Sequence, residues 1–344
     1  HMGENEASQP QNVGFDDFYG FLSVSDMYTE WRDPYFYPEF VYNKARTEMI
    51  KAMPWNRHLV HARKGGKVEN VEEITIPVLS TLDEKWADYS VQFIQKMAKE
   101  NKPFFLYHNT RGGHFDNYPN DKFRGKSPAK YPYKDVMIEM DDILGRLVKA
   151  LEETGQLDNT LIFVTSDNGP EMETWPDSGY TPFRGAKGST WEGGVRVPGI
   201  AYWRGTIKPG RISDGLFDLA DLFTTSASLA GAKNRLPKDR YIDGIDQTSF
   251  LLSDQGESNR RAVYYWFEKF PSGVRIGEYK LLILGTDDAP TDVVNPGGFS
   301  GFVKYFYMGR LFNLNLDPKE NRSFFIRKSP LAELLFATLK GHLA

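Results

Sequence analysis

Three short segments carry residue types whose spacing could support chemistry. The first is Thr165-Ser166-Asp167-Asn168-Gly169, which follows directly on the apolar run Thr160–Thr165. Asp167 offers a carboxylate and Asn168 an amide oxygen, hard donors of the kind that Ca2+ or Mg2+ takes. Two donors do not complete a metal shell, so further carboxylates would have to come from elsewhere. On its own the pair also suits an ordinary Asn-Gly turn. The second segment runs from Phe183 to Gly194. Four glycines, Gly185, Gly188, Gly193 and Gly194, let its backbone approach a ligand, and Lys187 sets a point charge against an anion. The G-x-x-x-x-G-K-[ST] order of a nucleotide-binding loop is absent, and by itself the stretch also reads as a surface loop. The third is Asn109-Thr110-Arg111-Gly112-Gly113-His114, placed after the apolar run Phe104–Tyr107. A histidine beyond a strand's C-terminal end is placed to protonate a leaving group, although a lone histidine is more often structural. His58, His61, His108 and His342 have no such context. Taken together, a pair of metal donors, a cation for an anion and a candidate acid suit hydrolysis of a phosphate or sulfate ester.

Such residues need a scaffold that brings them to one edge. Apolar positions recur at helical spacing over Thr81–Glu100 and, more strongly, over Tyr133–Glu153, where Val136, Met137, Met140, Ile143, Leu144, Leu147 and Leu151 form one stripe. Gly155 marks the second helix's end. Phe104–Tyr107 and Thr160–Thr165 read as buried strands, and Ile200–Trp203 as a possible return to the sheet. Phe217–Ala230 reads as a helix. Alternating helices and strands with short links predict an α/β fold with a mainly parallel central sheet flanked by helices. Ligands of such sheets bind beyond the strands' carboxyl ends, where Asp167 and His114 would lie. After Asp246 the texture changes to short β-like pieces at 262–267, 272–276, 280–284 and 310–314, closed by a helix over Leu331–Leu343. Residues 1–245 are therefore expected to form the α/β domain. Residues 246–344 are expected to form a smaller C-terminal subdomain with an antiparallel sheet and a terminal helix. Residues 1–75 read as a loop-rich surface layer.

Composition narrows the classes. The 344 residues carry a net charge of −4 and no long Lys/Arg run, which argues against a nucleic-acid binder. There is no cysteine, so disulfides, Cys-ligated zinc and Cys nucleophiles are excluded. No apolar stretch is long enough to predict a membrane span, and no signal peptide is visible at His1-Met2-Gly3-Glu4.

At this point the sequence resembles the sulfatase family of the alkaline-phosphatase-like superfamily. Gly14-Phe15-Asp16-Asp17-Phe18-Tyr19-Gly20 resembles its G-F-D-x-F-Y-G segment, and Pro103–Tyr107 the strand before its catalytic histidine. Asp167-Asn168-Gly169 matches its D-N-G metal motif. Arg184-Gly185-Ala186-Lys187 through Glu192-Gly193-Gly194 matches R-G-x-K-x-x-x-x-E-G-G, followed by Arg196-Val197-Pro198. Residues 274–281 and 311–320 resemble its C-terminal subdomain, and Trp175-Pro176-Asp177 is most similar to bacterial arylsulfatases.

The resemblance implies an arylsulfatase-type sulfuric ester hydrolase with Ca2+ held by Asp167 and Asn168. Lys187 would bind a sulfate oxygen, and His114 would contact the sulfate and protonate the leaving oxygen. His1-Met2-Gly3 fits the tail of the family's G-K-x-H-x-G segment, which would make His1 the histidine that helps turn over the nucleophile; His-Met also reads as a cloning remnant. The nucleophile, a formylglycine matured from the Cys or Ser of C/S-x-P/A-x-R, has no counterpart here, and neither do the family's N-terminal metal aspartates. Both are expected before His1, so this chain alone is expected to be inactive. The implied partner is a small aryl or carbohydrate sulfate ester, and periplasmic or secreted location is a family expectation. Two rivals remain: a non-catalytic binder of sulfated glycans, and a metal-dependent phosphatase or phosphodiesterase of the same superfamily.

Overall fold

The computed structural model describes residues 5–24, 29–287 and 301–343. The chain divides into two compact units, one of His1–Leu157 with Pro176–Ser178, the other of Asp158–Trp175 with Gly179–Ala344.

The first unit contains β1 (Asp17–Gly20), the short helices α1 (Pro38–Val41) and α2 (Lys44–Lys51), β2 (His58–Arg63), β3 (Glu69–Glu73), α3 (Ile76–Leu79), α4 (Leu82–Glu100) and α5 (Pro132–Glu153). β1, β2 and β3 form an antiparallel sheet in that order, with Tyr19 opposite His61 and His58 opposite Glu73. This sheet lies where the sequence reads as a loop-rich layer. Its strands are short and polar, and β2 buries only Leu59, Val60 and Ala62, so periodicity gives little sign of it. Leu59 packs with Ile74, Leu79, Leu82 and Trp86 into one core. The two long helices form where their apolar stripes predict, and they pack on each other. α4 carries Asp83 and Glu84 in its first turn, which suits the positive end of the helix, and stops at Asn101, whose φ of 48° is left-handed. Pro132 opens α5, where its missing N–H costs nothing.

The second unit contains β4 (Ile162–Thr165), the one-turn helix α6 (Glu192–Val195), β5 (Gly199–Tyr202), α7 (Asp221–Leu229), α8 (Thr248–Leu252), β6 (Ala262–Phe267), β7 (Phe270–Ile276), β8 (Tyr279–Asp287), β9 (Phe302–Asn313) and α9 (Ser329–Leu343). β6 to β9 form an antiparallel meander in sequence order, and α9 packs on β7 and β8. Val274, Leu281 and Leu311 meet Ala332, Leu335 and Leu339 of α9 in a buried layer. The expected C-terminal sheet and closing helix are thus present.

The parallel central sheet is not found among the described residues, where every ladder is antiparallel. β4 pairs with β5, Phe163 opposite Ala201, and the connection between them holds no long helix of the kind a parallel crossover needs. Phe104–Tyr107 belongs to no strand among the described residues, and Phe105 and Tyr107 are 63% and 64% exposed. An apolar run signals a preference for burial, and it does not name the strand that would pair with it. No helix among the described residues is long and apolar enough to cross a membrane.

Candidate active site

Asp167 and Asn168 follow immediately on β4, in the turn that leaves the strand. Asp167 is exposed and Asn168 half-buried. Ser166 Oγ donates to Asp167 Oδ1 at 3.4 Å and to the Asn168 carbonyl at 3.2 Å. Asn168 Nδ2 donates to the Gly169 carbonyl at 2.9 Å, which orients the amide.

The next residues lock this turn onto the lysine loop. Gly169 N–H donates to Gly194 O at 2.9 Å, and Lys187 N–H donates to Pro170 O at 2.9 Å. A Cβ on Gly169 would stand 1.8 Å from Gly193 O, so the approach requires glycine at this position. Inside the loop, Gly185 takes a φ of 78°, and Ser189 Oγ donates to Ala186 O at 2.8 Å. Two motifs separated in sequence are therefore one structural object. Lys187 Nζ lies 2.7 Å from Glu171 Oε2, and both side chains are 18% exposed. Sequence reasoning missed Glu171. Its only signal was a carboxylate three residues beyond Asn168, inside the loop that Asp167-Asn168-Gly169 opens.

His114 belongs to the other compact unit, in the irregular stretch between α4 and α5. Asp83, in the first turn of α4, fixes this stretch: Oδ1 accepts Arg111 N–H at 2.6 Å and Oδ2 accepts Gly112 N–H at 2.9 Å. Burial pushes the Asp83 carboxyl above its usual range, and the two amide donors oppose that rise. The Arg111 side chain is buried against Glu30 and the Asp116 carbonyl. His114 Nδ1 lies 2.5 Å from the Phe115 carbonyl, and the two rings stack at 4.6 Å. A carbonyl can only accept, so Nδ1 carries a proton. Nearby, Asn117 N–H donates to Asp177 Oδ2 at 2.7 Å, and burial pushes Asp116 up to about 6, with Asp177 adding to the rise and a Tyr37 hydrogen bond opposing it. His1 lies outside the described residues.

Asp167 and Asn168 fit Ca2+ by donor type, as suppliers of two oxygens. Among the described residues no group of three or more His, Cys, Asp or Glu is arranged to hold a metal. The two could therefore form only part of a shell.

Fold and site define an α/β protein in which a glycine-tight lysine loop is bonded to a turn bearing paired hard donors. The chain belongs to the sulfatase family: the family described as Sulfatase matches residues 1–232, and the putative sulfatase AslA C-terminal domain matches residues 272–344. It is 34% identical over 254 residues to N-acetylgalactosamine-6-sulfatase of Mus musculus, covering 70% of this chain and 48% of that protein. It is 32% identical over 254 residues to human arylsulfatase A, covering 71% of this chain and 49% of that protein. The crystal structure of PsFucS1 sulfatase from Pseudoalteromonas sp. is 42% identical and superposes with a TM-score of 0.93, covering 100% of this chain and 68% of that one. The chain spans about half the length of the curated relatives it matches.

Proposed function

We propose that the protein carrying this chain hydrolyses sulfate esters of small aryl or carbohydrate substrates. The observation that carries the reading is the joining of Lys187's loop to the Asp167-Asn168 turn by two backbone hydrogen bonds and the Gly169–Gly193 approach. These contacts support a reading in which the cation and the two hard oxygen donors act together. Membership of the sulfatase family and the names of the relatives support sulfate as the group acted upon.

Asp167 Oδ and Asn168 Oδ1 would hold part of a Ca2+ shell, and the ion would supply positive charge against the sulfate oxygens. The attacking hydroxyl would come from a formylglycine in a segment preceding His1, with His1 assisting turnover of that group. Lys187 binds a sulfate oxygen by exchanging its contact with Glu171 for one with the ester. Its charge offsets the charge that builds on oxygen as the S–O bond breaks. His114 protonates the leaving oxygen from Nε2, while the Phe115 carbonyl keeps the ring's other nitrogen protonated. Without the nucleophile segment, the 344-residue chain should show no turnover.

The test is hydrolysis of 4-nitrophenyl sulfate and 4-nitrophenyl phosphate by the intact protein, with and without a Ca2+ chelator. Sulfate release that chelation removes and Ca2+ restores is the expected result. Release of phosphate alone would replace this reading with the phosphatase one, and turnover by the isolated chain would refute the upstream nucleophile.

A further inference from the structure

A lysine with no solvent exposure takes no part in the chemistry above. Lys280, on β8, is 0% exposed. Its ammonium donates to the Thr190 carbonyl at 2.8 Å and to Glu192 Oε1 at 3.1 Å, lies 2.8 Å from Glu320 Oε1, and sits 4.2 Å from the centre of the Tyr265 ring. Thr190 and Glu192 belong to the loop that carries Lys187. Glu320, also 0% exposed, accepts the Glu192 N–H through Oε2 at 2.7 Å, while its own carbonyl accepts Arg184 Nη1 at 2.9 Å. Glu192 further accepts from Tyr265 OH at 2.8 Å and pairs with Arg275 Nη1 at 2.9 Å. At the loop's centre Trp191 is fully buried, donates Nε1–H to the Thr286 carbonyl at 2.5 Å and lies under the Arg184 guanidinium at 3.9 Å.

Two cations, Lys280 and Arg275, thus face two carboxylates, Glu192 and Glu320; Lys280 and both carboxylates are buried, and the Arg275 side chain is 12% exposed. Burying four charges is poor value for stability, because a well-packed apolar cluster of the same volume does as well or better. Charged contacts differ from apolar ones in direction: each fixes one atom of the loop at one place. Glu320 also holds a φ of 52°, in the left-handed region that disfavours a side chain, and such a conformation persists only where its surroundings impose it. Both ends of the lysine loop are gripped this way, Arg184 before Lys187 and Thr190 and Glu192 after it.

We infer that Lys280 and Glu320 are positioning residues for sulfate binding: the C-terminal sheet clamps residues 184–192 so that Lys187 is presented in one conformation. This inference rests on the reading of Lys187 as the sulfate-binding cation.

The test has two arms. In this chain, amide hydrogen exchange of residues 184–194 is compared between wild type and Lys280→Met; faster exchange confined to that loop, with α4 and α5 unchanged, is expected. In the intact protein, kcat/KM on 4-nitrophenyl sulfate should fall about 100-fold in Lys280→Met, the scale of a misplaced catalytic group. In a Lys187→Ala background the same substitution should cost less than about 3-fold, because residues that act through one group are not additive. Equal losses in both backgrounds, or an unchanged loop exchange, would overturn the clamp. If the intact wild-type protein releases no sulfate, the functional reading falls, and the exchange arm still decides whether the clamp exists. Should Lys280→Met fail to fold, Glu320→Gln carries both arms, since the amide still accepts the Glu192 N–H but loses the ion pair.

Discussion

Lys187 already has an anionic partner in Glu171, 2.7 Å away and equally sheltered, so under the proposed function a sulfate would compete with a carboxylate for the same ammonium. Replacing Glu171 by Gln removes the competing charge and its repulsion of the anion. In the intact protein, inorganic sulfate should inhibit Glu171→Gln about 10-fold more tightly, a change of ~1.4 kcal/mol. An unchanged or weaker inhibition constant would show that the pair organises Lys187 and does not compete for it. A second residue-scale prediction concerns Asp116, whose carboxyl burial raises to about 6. Between the ordinary carboxylate range and pH 6 the folded chain holds a proton that the unfolded chain has released. This group's stabilising effect is therefore present at low pH and lost as pH rises through 6. Asp116→Asn stays neutral throughout. It should be more stable than wild type at pH 8, by up to about 3 kcal/mol, and match it near pH 4. A difference that does not vary with pH would contradict the assignment.

At the scale of elements, the meeting of β4's turn with the lysine loop depends on Gly169. Gly169→Ala would force Cβ into the Gly193 carbonyl, and thermal unfolding should show a loss of about 1–3 kcal/mol, the usual cost of overpacking. Gly145 lies within α5 with no atom within 4 Å of an added Cβ, so Gly145→Ala should stabilise the chain by about 0.5–1 kcal/mol. The opposite signs separate close approach from helix propensity. The same elements show what the sequence makes legible. α4, α5 and α9 announce themselves through apolar stripes and end signals, and β6 through a compact β-rich run between turns. The β1–β3 sheet does not, because strands such as Glu69–Glu73 carry almost no apolar residues and owe their place to β2 and the core beneath it. The pairing of β4 with β5 was equally hidden, since helix–strand alternation suggests parallel neighbours and the real partner returns antiparallel.

For the whole molecule, local motifs located Asp167, Asn168 and Lys187, because those residues sit in short patterns with glycines that only close backbone contact explains. Glu171, Lys280 and Glu320 were invisible for a different reason. Each is an unremarkable charge in sequence, and Lys280 and Glu320 gain meaning only through partners about a hundred residues away, Thr190 and Glu192. His114 lies in a separate compact unit from Lys187. In the proposed mechanism Lys187 stabilises a sulfate ester as it breaks. The direct measurement is sulfate release from 4-nitrophenyl sulfate by the intact protein and by its Lys187→Ala variant. Turnover by the wild type and a fall in kcat/KM of about 100- to 1000-fold in the variant, the cost of removing one charge-stabilising donor, are expected. Equal rates in the two proteins would contradict it.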